Sequence, residues 1–209
     1  MLIIVDYDTG NLRSVQNMLT SIGVASRISG ARADIESASA LILPGVGHFD
    51  FGMRSLKRHD LIGPLSEQVL ERKTPLLGIC LGAQLLTRGS QEGSEPGLGW
   101  IQADTRSFDR SRMSRALRVP HMAWADTEFR ASSSLFVNVE PVPRYYYVHS
   151  FHIVADNPAD ELCHAVHGYR FVSGVQRNNI AGVQFHPEKS HRFGKVVLAN
   201  FAQSIVGRR

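Results

Sequence analysis

Cysteine is scarce in this sequence, which has only Cys80 and Cys163 among 209 residues. Two thiols do not make the disulfide framework of a small secreted protein, and cytosolic thiols stay reduced, so a working thiol fits this composition. Long apolar runs are also missing, since none approaches the roughly 18 residues that a membrane-spanning helix needs. The first five residues have no basic flank and lead straight into Asp6, unlike a signal peptide. We therefore expect a cytoplasmic protein that has no membrane partner.

Aromatic residues are few, at 8%, and neither sign of charge is in large excess, with 23 Lys and Arg against 19 Asp and Glu. Five arginines nevertheless share one short stretch, at Arg106, Arg110, Arg112, Arg115 and Arg118. Because few aromatics lie among them and no nucleic-acid-binding motif surrounds them, we expect no nucleic-acid partner. The stretch is typical of a solvated loop or helix face. The alternative is a docking surface for a partner or a phosphorylated substrate.

The order of apolar segments indicates a single α/β domain over residues 1–209. No repeat, low-complexity tract or linker interrupts the chain, and 43% apolar residues with 20% charged residues is a globular composition. Strand-like segments are found at 2–5, 24–28, 40–43 and 75–79, and helical ones at 12–22, 61–72 and 81–87. This alternation predicts a mainly parallel sheet flanked by helices.

The second half of the chain is richer in short β segments. They are expected at 100–108, 116–122, 145–154, 162–167, 171–176 and 180–183, before a closing helix over 190–206. Such segments predict added antiparallel or mixed strands beside the parallel sheet. The chemistry of this fold class is expected at the carboxyl ends of the parallel strands.

A glycine-flanked cysteine follows one of those strands. Residues 78–82 read Gly-Ile-Cys-Leu-Gly, between an apolar run and a helical one. This is the thiol counterpart of the G-x-S-x-G elbow, where a side chain at Gly78 or Gly82 would clash in the tight turn. A helix starting at Leu81 favours a thiolate through its free N–H groups and its dipole. On the pentapeptide alone, a buried structural cysteine explains Cys80 equally well.

A thiol nucleophile needs an imidazole to take its proton and a third group to orient that imidazole. His186 and Glu188 lie two residues apart behind a strand-like segment, so in an extended chain they face the same side. Pro187 stiffens the link between them. A single histidine is more often a surface or core residue, but the elbow at Cys80 favours catalysis here. Cys163 has no comparable setting and is interpreted as core.

Acyl transfer also requires hydrogen-bond donors where the oxyanion forms. Residues 44–47 read Pro-Gly-Val-Gly at the end of a predicted parallel strand. The glycines allow a backbone N–H at Val46 or Gly47 to turn inward, and the N–H of Leu81 would complete a two-donor hole. Without Cys80, an ordinary strand-to-helix turn would be the better explanation of this segment.

Together, Gly-Ile-Cys-Leu-Gly-x-Gln at 78–84, Pro-Gly-Val-Gly at 44–47 and His-Pro-Glu at 186–188 resemble the motifs of class I (triad) glutamine amidotransferases. The sequence is more closely similar to the glutaminase subunit of imidazole glycerol phosphate synthase. Segments 5–7, 10–15, 119–122, 146–150 and 184–190 carry that similarity, which runs from the first strand to the last helix.

The resemblance implies a role for each matching residue. Cys80 would be the nucleophile, His186 the base and acid, and Glu188 the group that orients His186. Residues implied to hold the glutamine substrate are Gln84, Glu92 and the backbone at Ser150 and Phe151. Residues implied to face a partner are Asn11, Arg13, Ser14, Trp124, Tyr146 and Lys189. For Gln84, a solvated helix position remains the alternative.

The resemblance also implies the reaction and the partner. The subunit would hydrolyse L-glutamine without a cofactor or a metal and pass ammonia to a (β/α)8-barrel cyclase. That cyclase makes imidazole glycerol phosphate and AICAR in histidine biosynthesis. Because the glutaminase motifs span nearly the whole chain, no domain is left to use the ammonia, so a docked synthase is expected.

Some positions depart from the pattern of the subunit. Ala83 stands where methionine is usual, Phe151 where tyrosine is common, and Ala123 and Ala125 replace glycine and asparagine around Trp124. None of them belongs to the triad. The last two lie in a segment associated with the subunit interface, so they bear on the partner rather than on hydrolysis.

Three alternative functions remain open at this point. A paralogous glutaminase could supply ammonia for the amidination of surface sugars, which the interface changes would suit. The glutaminase of vitamin B6 biosynthesis has a similar size and triad, but the 10–15 and 119–122 segments argue against it. A non-catalytic docking or regulatory subunit belongs to a different class, and the intact triad argues against it.

Overall fold

The computed structural model describes residues 1–130 and 133–206. Residues 131–132 and 207–209 of the predicted domain lie outside the described residues. Within the described ranges, no helix is both long enough and apolar enough to cross a bilayer.

The first half of the chain alternates strands and helices, as predicted. In chain order its elements are β1 (Leu2–Val5), α1 (Leu12–Ser21), β2 (Ser26–Ser29), α2 (Arg32–Glu36), β3 (Ala40–Gly45), α3 (Phe49–Arg58), α4 (Ile62–Ser66), β4 (Leu76–Cys80) and α5 (Leu81–Leu85). A π-helical turn, Glu67–Glu71, continues α4. α3 was not predicted from the sequence, although its apolar residues Phe49, Met53 and Leu56 are buried at helical spacing among polar ones.

The second half adds further strands and the closing helix. In chain order they are β5 (Ala103–Ser107), β6 (His121–Asp126), β7 (Glu128–Phe129), β8 (Arg144–His149), β9 (Phe151–Ala155), β10 (Glu161–His167), β11 (Tyr169–Arg177), β12 (Ile180–Val183) and α6 (His191–Val206). Short 3₁₀ turns occur at Arg110–Arg112, Ser134–Phe136, Pro158–Asp160 and Pro187–Lys189. The chain therefore has the predicted α/β fold with added antiparallel strands.

The large sheet runs in the order β2-β1-β3-β4-β12-β11-β10-β7. β1 to β4 are parallel neighbours, and β12 is parallel to β4 but antiparallel to β11. Placing residues 180–183 in the added layer was thus wrong, because they form a fifth parallel strand. All four of these residues are buried, which is typical of a strand covered on both faces.

Two predicted strands of the second half have other bounds. The strand expected at 116–122 begins only at His121, since Pro120 has no N–H to donate to a ladder. The segment expected at 145–154 is divided at Ser150, so that β8 pairs with β6 whereas β9 pairs with β5. Ser150 therefore lies where the chain passes from the two-stranded β6–β8 sheet to the large sheet.

Alternate residues along the parallel strands pack into two different hydrophobic cores, one on each face of the sheet. Ile4 of β1 packs in a cluster with Val15 and Leu19 of α1 and Phe201 of α6. Its neighbour Ile3 packs in the other cluster, with the residues of α3 and α4. Helices therefore cover both faces of the sheet, and the carboxyl ends of β3, β4 and β12 remain available for a site.

Candidate active site

Cys80 lies in a strained turn between β4 and α5. Its backbone has φ 54° and ψ −110°, a positive φ that non-glycine residues rarely adopt. A Cβ added to Gly78 would lie 2.8 Å from the Cα of Ala83, and one added to Gly82 would lie 1.8 Å from the carbonyl oxygen of Leu43. Both glycines are therefore required by the turn, for the steric reason expected from the sequence.

His186 and Glu188 form a buried pair beside this turn. Nδ1 of His186 is 2.7 Å from Oε1 of Glu188, and the two side chains are 1% and 2% exposed. The segment is not extended as expected, because Pro187–Lys189 is a 3₁₀ turn. The contact between the carboxylate and the ring is therefore made by a turn of the chain and not by an extended strand. Such a pair fixes the ring orientation and leaves Nε2 for another group.

The electrostatics of the pair favour an imidazolium. Burial lowers the pKa of His186, but the neighbouring Cys80 thiol and Glu188 carboxylate raise it more, to a net value of about 9. Nε2 makes no hydrogen bond within the described part of the chain, and His186 lines the same pocket as Cys80, so this nitrogen is left for the thiol. A thiolate beside a protonated imidazole is the arrangement that a cysteine nucleophile needs.

A pocket opens over the sulfur of Cys80. The residues that line it are Val46, Gly47, Cys80, Leu81, Gln84, Glu92, Pro120, Val148, His149, Ser150, Phe151 and His186. The structure thus brings the predicted catalytic, oxyanion and substrate residues to one cavity, apart from Glu188, which lies behind His186. Pro120, Val148 and His149 were not predicted as site residues.

The two sides of the predicted oxyanion hole both line this pocket, after the neighbouring strands β3 and β4. Gly47 has φ 101°, a conformation that favours glycine, and no atom lies within 4 Å of a Cβ added there. Val46 is 41% exposed, although it follows the buried strand β3. Leu81 is the first residue of α5, so its N–H is one of the donors that a helix start leaves free.

Gln84 connects one wall of the pocket to the residue that follows β12. It is 5% exposed, which rules out the solvated position considered for it. Its Nε2 donates to the carbonyl oxygen of Phe151 at 3.2 Å and to Oε1 of Gln184 at 3.0 Å. The carbonyl of Phe151 also accepts from Nδ1 of His149 at 2.7 Å. Two side chains therefore hold the backbone at the break between β8 and β9.

His149 belongs to a cluster of neutral rings under the pocket. Its Nε2 is 3.1 Å from Nδ1 of His121, and both rings pack around Phe108. Burial lowers the pKa of His121 to about 4 and holds that of His149 well below its usual value. Sequence reasoning missed this cluster because its members come from separate strands.

The other predicted substrate residue, Glu92, reaches the pocket from the loop after α5. Its Oε2 accepts a hydrogen bond from the backbone N–H of Phe49, the first residue of α3, at 2.8 Å. A carboxylate at a helix start is favoured by the helix dipole. Glu92 thus places a negative charge in the pocket and is held there by the helix that follows Gly47.

Three of the six predicted partner-facing residues form one surface. Trp124 and Tyr146 are directly opposite each other in the β6–β8 ladder, with ring centroids 6.2 Å apart. Nζ of Lys189 lies 5.7 Å from the centroid of the Tyr146 ring. The backbone of Tyr146 accepts from the N–H of His186 at 2.9 Å, so this surface adjoins the His186–Glu188 pair. The remaining three, Asn11, Arg13 and Ser14, lie at the start of α1.

The features outside the pocket agree with ordinary structural roles. Cys163 is fully buried, and burial raises the pKa of its thiol to about 12, as expected for a core cysteine. All five arginines of the 106–118 stretch are exposed. Among the described residues, no group of three or more His, Cys, Asp or Glu is placed to hold a metal ion.

Comparisons with known proteins agree with this geometry. A family model described as glutamine amidotransferase class-I matches residues 3–205. The chain is 43% identical over 205 residues to imidazole glycerol phosphate synthase subunit HisH 2 of Pseudomonas aeruginosa, which covers 98% of this chain and 100% of the relative. It is 37% identical over 202 residues to the HisH subunit of Leptospira interrogans, covering 97% and 99%.

Solved structures share the fold at lower sequence identity. A structure described as a glutamine amidotransferase has a TM-score of 0.75 at 17% identity and covers 98% of both chains. One described as PurLQS from Thermotoga maritima has a TM-score of 0.74 at 20% identity, also covering 98% of both chains. At these identities the likeness concerns the fold alone.

Proposed function

Because the chain belongs to the class I glutamine amidotransferase family, we propose that Cys80, His186 and Glu188 are the residues with which it hydrolyses L-glutamine. The chain is a glutamine amidotransferase, and its function is that of the glutaminase subunit of imidazole glycerol phosphate synthase in histidine biosynthesis. The observation that carries the residue assignment is the buried His186–Glu188 pair beside a strained, pocket-facing Cys80.

The geometry supports a two-step reaction. The Cys80 thiolate attacks the side-chain carbonyl carbon of glutamine, and the N–H groups of Leu81 and of Val46 or Gly47 stabilise the oxyanion. His186 then gives its proton to the leaving nitrogen, so ammonia departs and a thioester remains. Next, His186 takes a proton from water as the water attacks the thioester. Glutamate leaves, and the proton returns to the Cys80–His186 pair.

Two groups suit the amino-acid end of glutamine. The Glu92 carboxylate provides a negative charge for the α-ammonium group, and the backbone at Ser150 and Phe151 provides hydrogen-bonding groups on the facing wall. Gln84 holds the Phe151 carbonyl from below. In this proposal Gln84 therefore holds the backbone of the substrate site in position.

The proposed partner is a (β/α)8-barrel cyclase that receives the ammonia in a heterodimer. Val148 of β8 lines the pocket, and Tyr146 lies two residues along the same strand beside Trp124 and Lys189. A partner docked on this surface would cover the pocket edge, so ammonia would have a short way to travel. Asn11, Arg13 and Ser14 of α1 extend the proposed interface. We place the whole assembly in the cytoplasm and treat residues 1–209 as one domain.

The surface-sugar alternative depended on Ala123 and Ala125. In the β6–β8 ladder these residues are opposite Tyr147 and Tyr145, on the face turned away from Trp124 and Tyr146. Since neighbouring strand residues point to opposite faces, the two alanines leave the Trp124–Tyr146 surface unchanged. This placement favours the cyclase as the partner.

The test is a glutamate-release assay with the purified chain, alone and with the proposed barrel partner. We expect little activity alone and a strong increase when the partner binds its ligand, because a glycine-flanked loop at Gly47 can change which N–H faces the pocket. High glutamine turnover by the isolated chain that the partner leaves unchanged would contradict the proposed assembly. No turnover in either state would contradict the proposed catalytic residues.

A further inference from the structure

A glutamine side chain contacts the sulfur of Cys80. β12 is parallel to β4 with Val183 opposite Ile79, so the next residues along the two strands, Gln184 and Cys80, are neighbours at the carboxyl edge. Gln184 is fully buried, and its Nε2 lies 3.7 Å from Sγ of Cys80. That distance is within the longer range of hydrogen bonds to sulfur.

The orientation of this amide follows from its neighbours. The carbonyl of Phe151 only accepts, so the end of the Gln84 amide that faces it, at 3.2 Å, is the NH₂ group. The same NH₂ group faces the Gln184 amide at 3.0 Å, so the atom that it meets there is the acceptor Oε1. The opposite orientation would set two NH₂ groups against each other. Gln184 therefore directs its own NH₂ group at Cys80.

From this network we propose that Gln184 is a catalytic residue of the glutaminase, donating a hydrogen bond to the sulfur of Cys80 and stabilising its thiolate. The inference rests on the proposed function of Cys80. A donor to an anion is worth more than a donor to a neutral group, so the contact favours the thiolate over the thiol. It acts together with His186, which precedes the 3₁₀ turn after β12 and lines the same pocket as Cys80.

The same network links the thiolate to the substrate wall. Gln84 bonds to both the Phe151 carbonyl and Gln184, so one chain of amides connects the proposed substrate wall to the sulfur. Gln184 is held from its main chain as well, because its N–H donates to the carbonyl of Ser173 at 2.8 Å. The donor is thus fixed before substrate binds, which lowers the cost of stabilising the charge.

The experiment measures the rate at which iodoacetamide alkylates Cys80 between pH 5 and 10, at peptide level by mass spectrometry so that Cys163 is counted separately. In Gln184→Met, which keeps the side-chain size but has no donor, we expect the midpoint of the rate profile to move up by about one pH unit. In Gln184→Glu, which keeps an acceptor for Gln84 but places an anion beside the sulfur, we expect a larger upward move.

Gln68→Met is the matched control, because Gln68 is also a buried glutamine with two side-chain hydrogen bonds, and its partners Glu36 and Thr74 do not line the pocket. It should lower the melting temperature and leave the alkylation midpoint unchanged. A purely structural Gln184 would behave in the same way, and that result would overturn the inference. If Gln184→Met does not fold, Gln184→Leu, which also has no donor and adds no charge, tests the inference by the same criterion.

Alkylation does not depend on glutamine turnover, so this test is separate from that of the proposed function. A shifted midpoint in a chain that never hydrolyses glutamine would support the contact and contradict the glutaminase assignment. An unshifted midpoint in an active glutaminase would contradict the role of Gln184 alone.

Discussion

The carboxylate of Glu92 and the backbone nitrogen of Phe49 are joined by a 2.8 Å hydrogen bond, 43 residues apart in the chain. Phe49 begins α3, two residues after Gly47 of the proposed oxyanion loop. One side chain therefore contributes charge to the substrate pocket and also holds the helix that anchors this loop. The two roles can be separated by substitution.

Glu92→Gln should impair glutamine binding and leave the fold intact. The amide oxygen can still accept from the Phe49 N–H, but the negative charge for the α-ammonium group is lost. Since hydrogen bonds to charged groups are worth about 1.5–3 kcal/mol, we expect KM to rise about tenfold or more with a smaller change in kcat. Glu92→Ala should add a fall in stability of about 1 kcal/mol. Equal KM values for the wild type and Glu92→Gln would contradict this role.

The pH dependence of hydrolysis should reflect His186. Its pKa is raised from 6.5 to about 9, so the imidazolium persists through neutral pH and is lost as the pH rises through about 9. Because the imidazolium gives a proton to the leaving ammonia, kcat/KM should fall on an alkaline limb near pH 9. The profile should be recorded with the partner present, from pH 5 to 10.

Glu188→Gln provides the comparison for that profile. Replacing the carboxylate removes a group that raises the pKa of His186, so the alkaline limb should move to lower pH, toward the ordinary value of 6.5. An alkaline limb at the same pH in both proteins would show that Glu188 does not tune the base.

The elbow glycines give a prediction about stability. Gly82→Ala would place a methyl group 1.8 Å from the carbonyl oxygen of Leu43, so backbone must move, and we expect a loss of about 3 kcal/mol in the free energy of unfolding. Gly89→Ala is the matched change, because the nearest atom to its added Cβ is 4.0 Å away. Urea unfolding of both variants measures the difference, and similar free energies for the two would refute the steric argument.

Some of these site residues could be predicted from the sequence, and others could be found only in the structure. The elbow at Cys80 and the His186–Glu188 pair are local in sequence, so spacing and residue type were enough to find them. Gln184 and His149 act through contacts between strands far apart in the chain, and their roles depend on the β4–β12 register and on the break at Ser150. Residue type alone does not fix a register.

The elements of the fold likewise include some that the sequence predicts and some that it does not. The early strands and helices follow from hydrophobic periodicity, but α3 was missed because its buried Phe49, Met53 and Leu56 are interrupted by charged residues and a glycine. The parallel pairing of β12 was missed because a short apolar strand gives no sign of its partner's direction. Burial on both faces is visible only in the assembled sheet.

Partner docking should depend on the cation near Tyr146. Nζ of Lys189 lies over the Tyr146 ring, so Lys189→Glu removes this contact and reverses the charge at the proposed interface. We expect binding of the barrel partner to weaken by about 1–2 kcal/mol, with a smaller effect at high salt. Titration calorimetry at low and high salt measures both quantities.

The control for docking is Arg177→Glu. Arg177 is exposed and pairs with Ile180 at the amino end of β12, the edge of the sheet opposite the site. Arg177→Glu makes the same change in charge as Lys189→Glu but should leave partner affinity unchanged. If both variants weakened binding equally, the effect would reflect net charge and not the Trp124–Tyr146–Lys189 surface.

The central claim is that Cys80 forms the covalent intermediate of glutamine hydrolysis. It is tested most directly by Cys80→Ala in the assembled complex, with product formation measured once from glutamine and once from added ammonium salt. The account predicts that the glutamine-driven rate falls by at least about a thousandfold, because no neighbouring group can replace the thiolate, while the ammonium-driven rate stays near that of the wild type. A glutamine-driven rate near wild type in this variant would contradict the account.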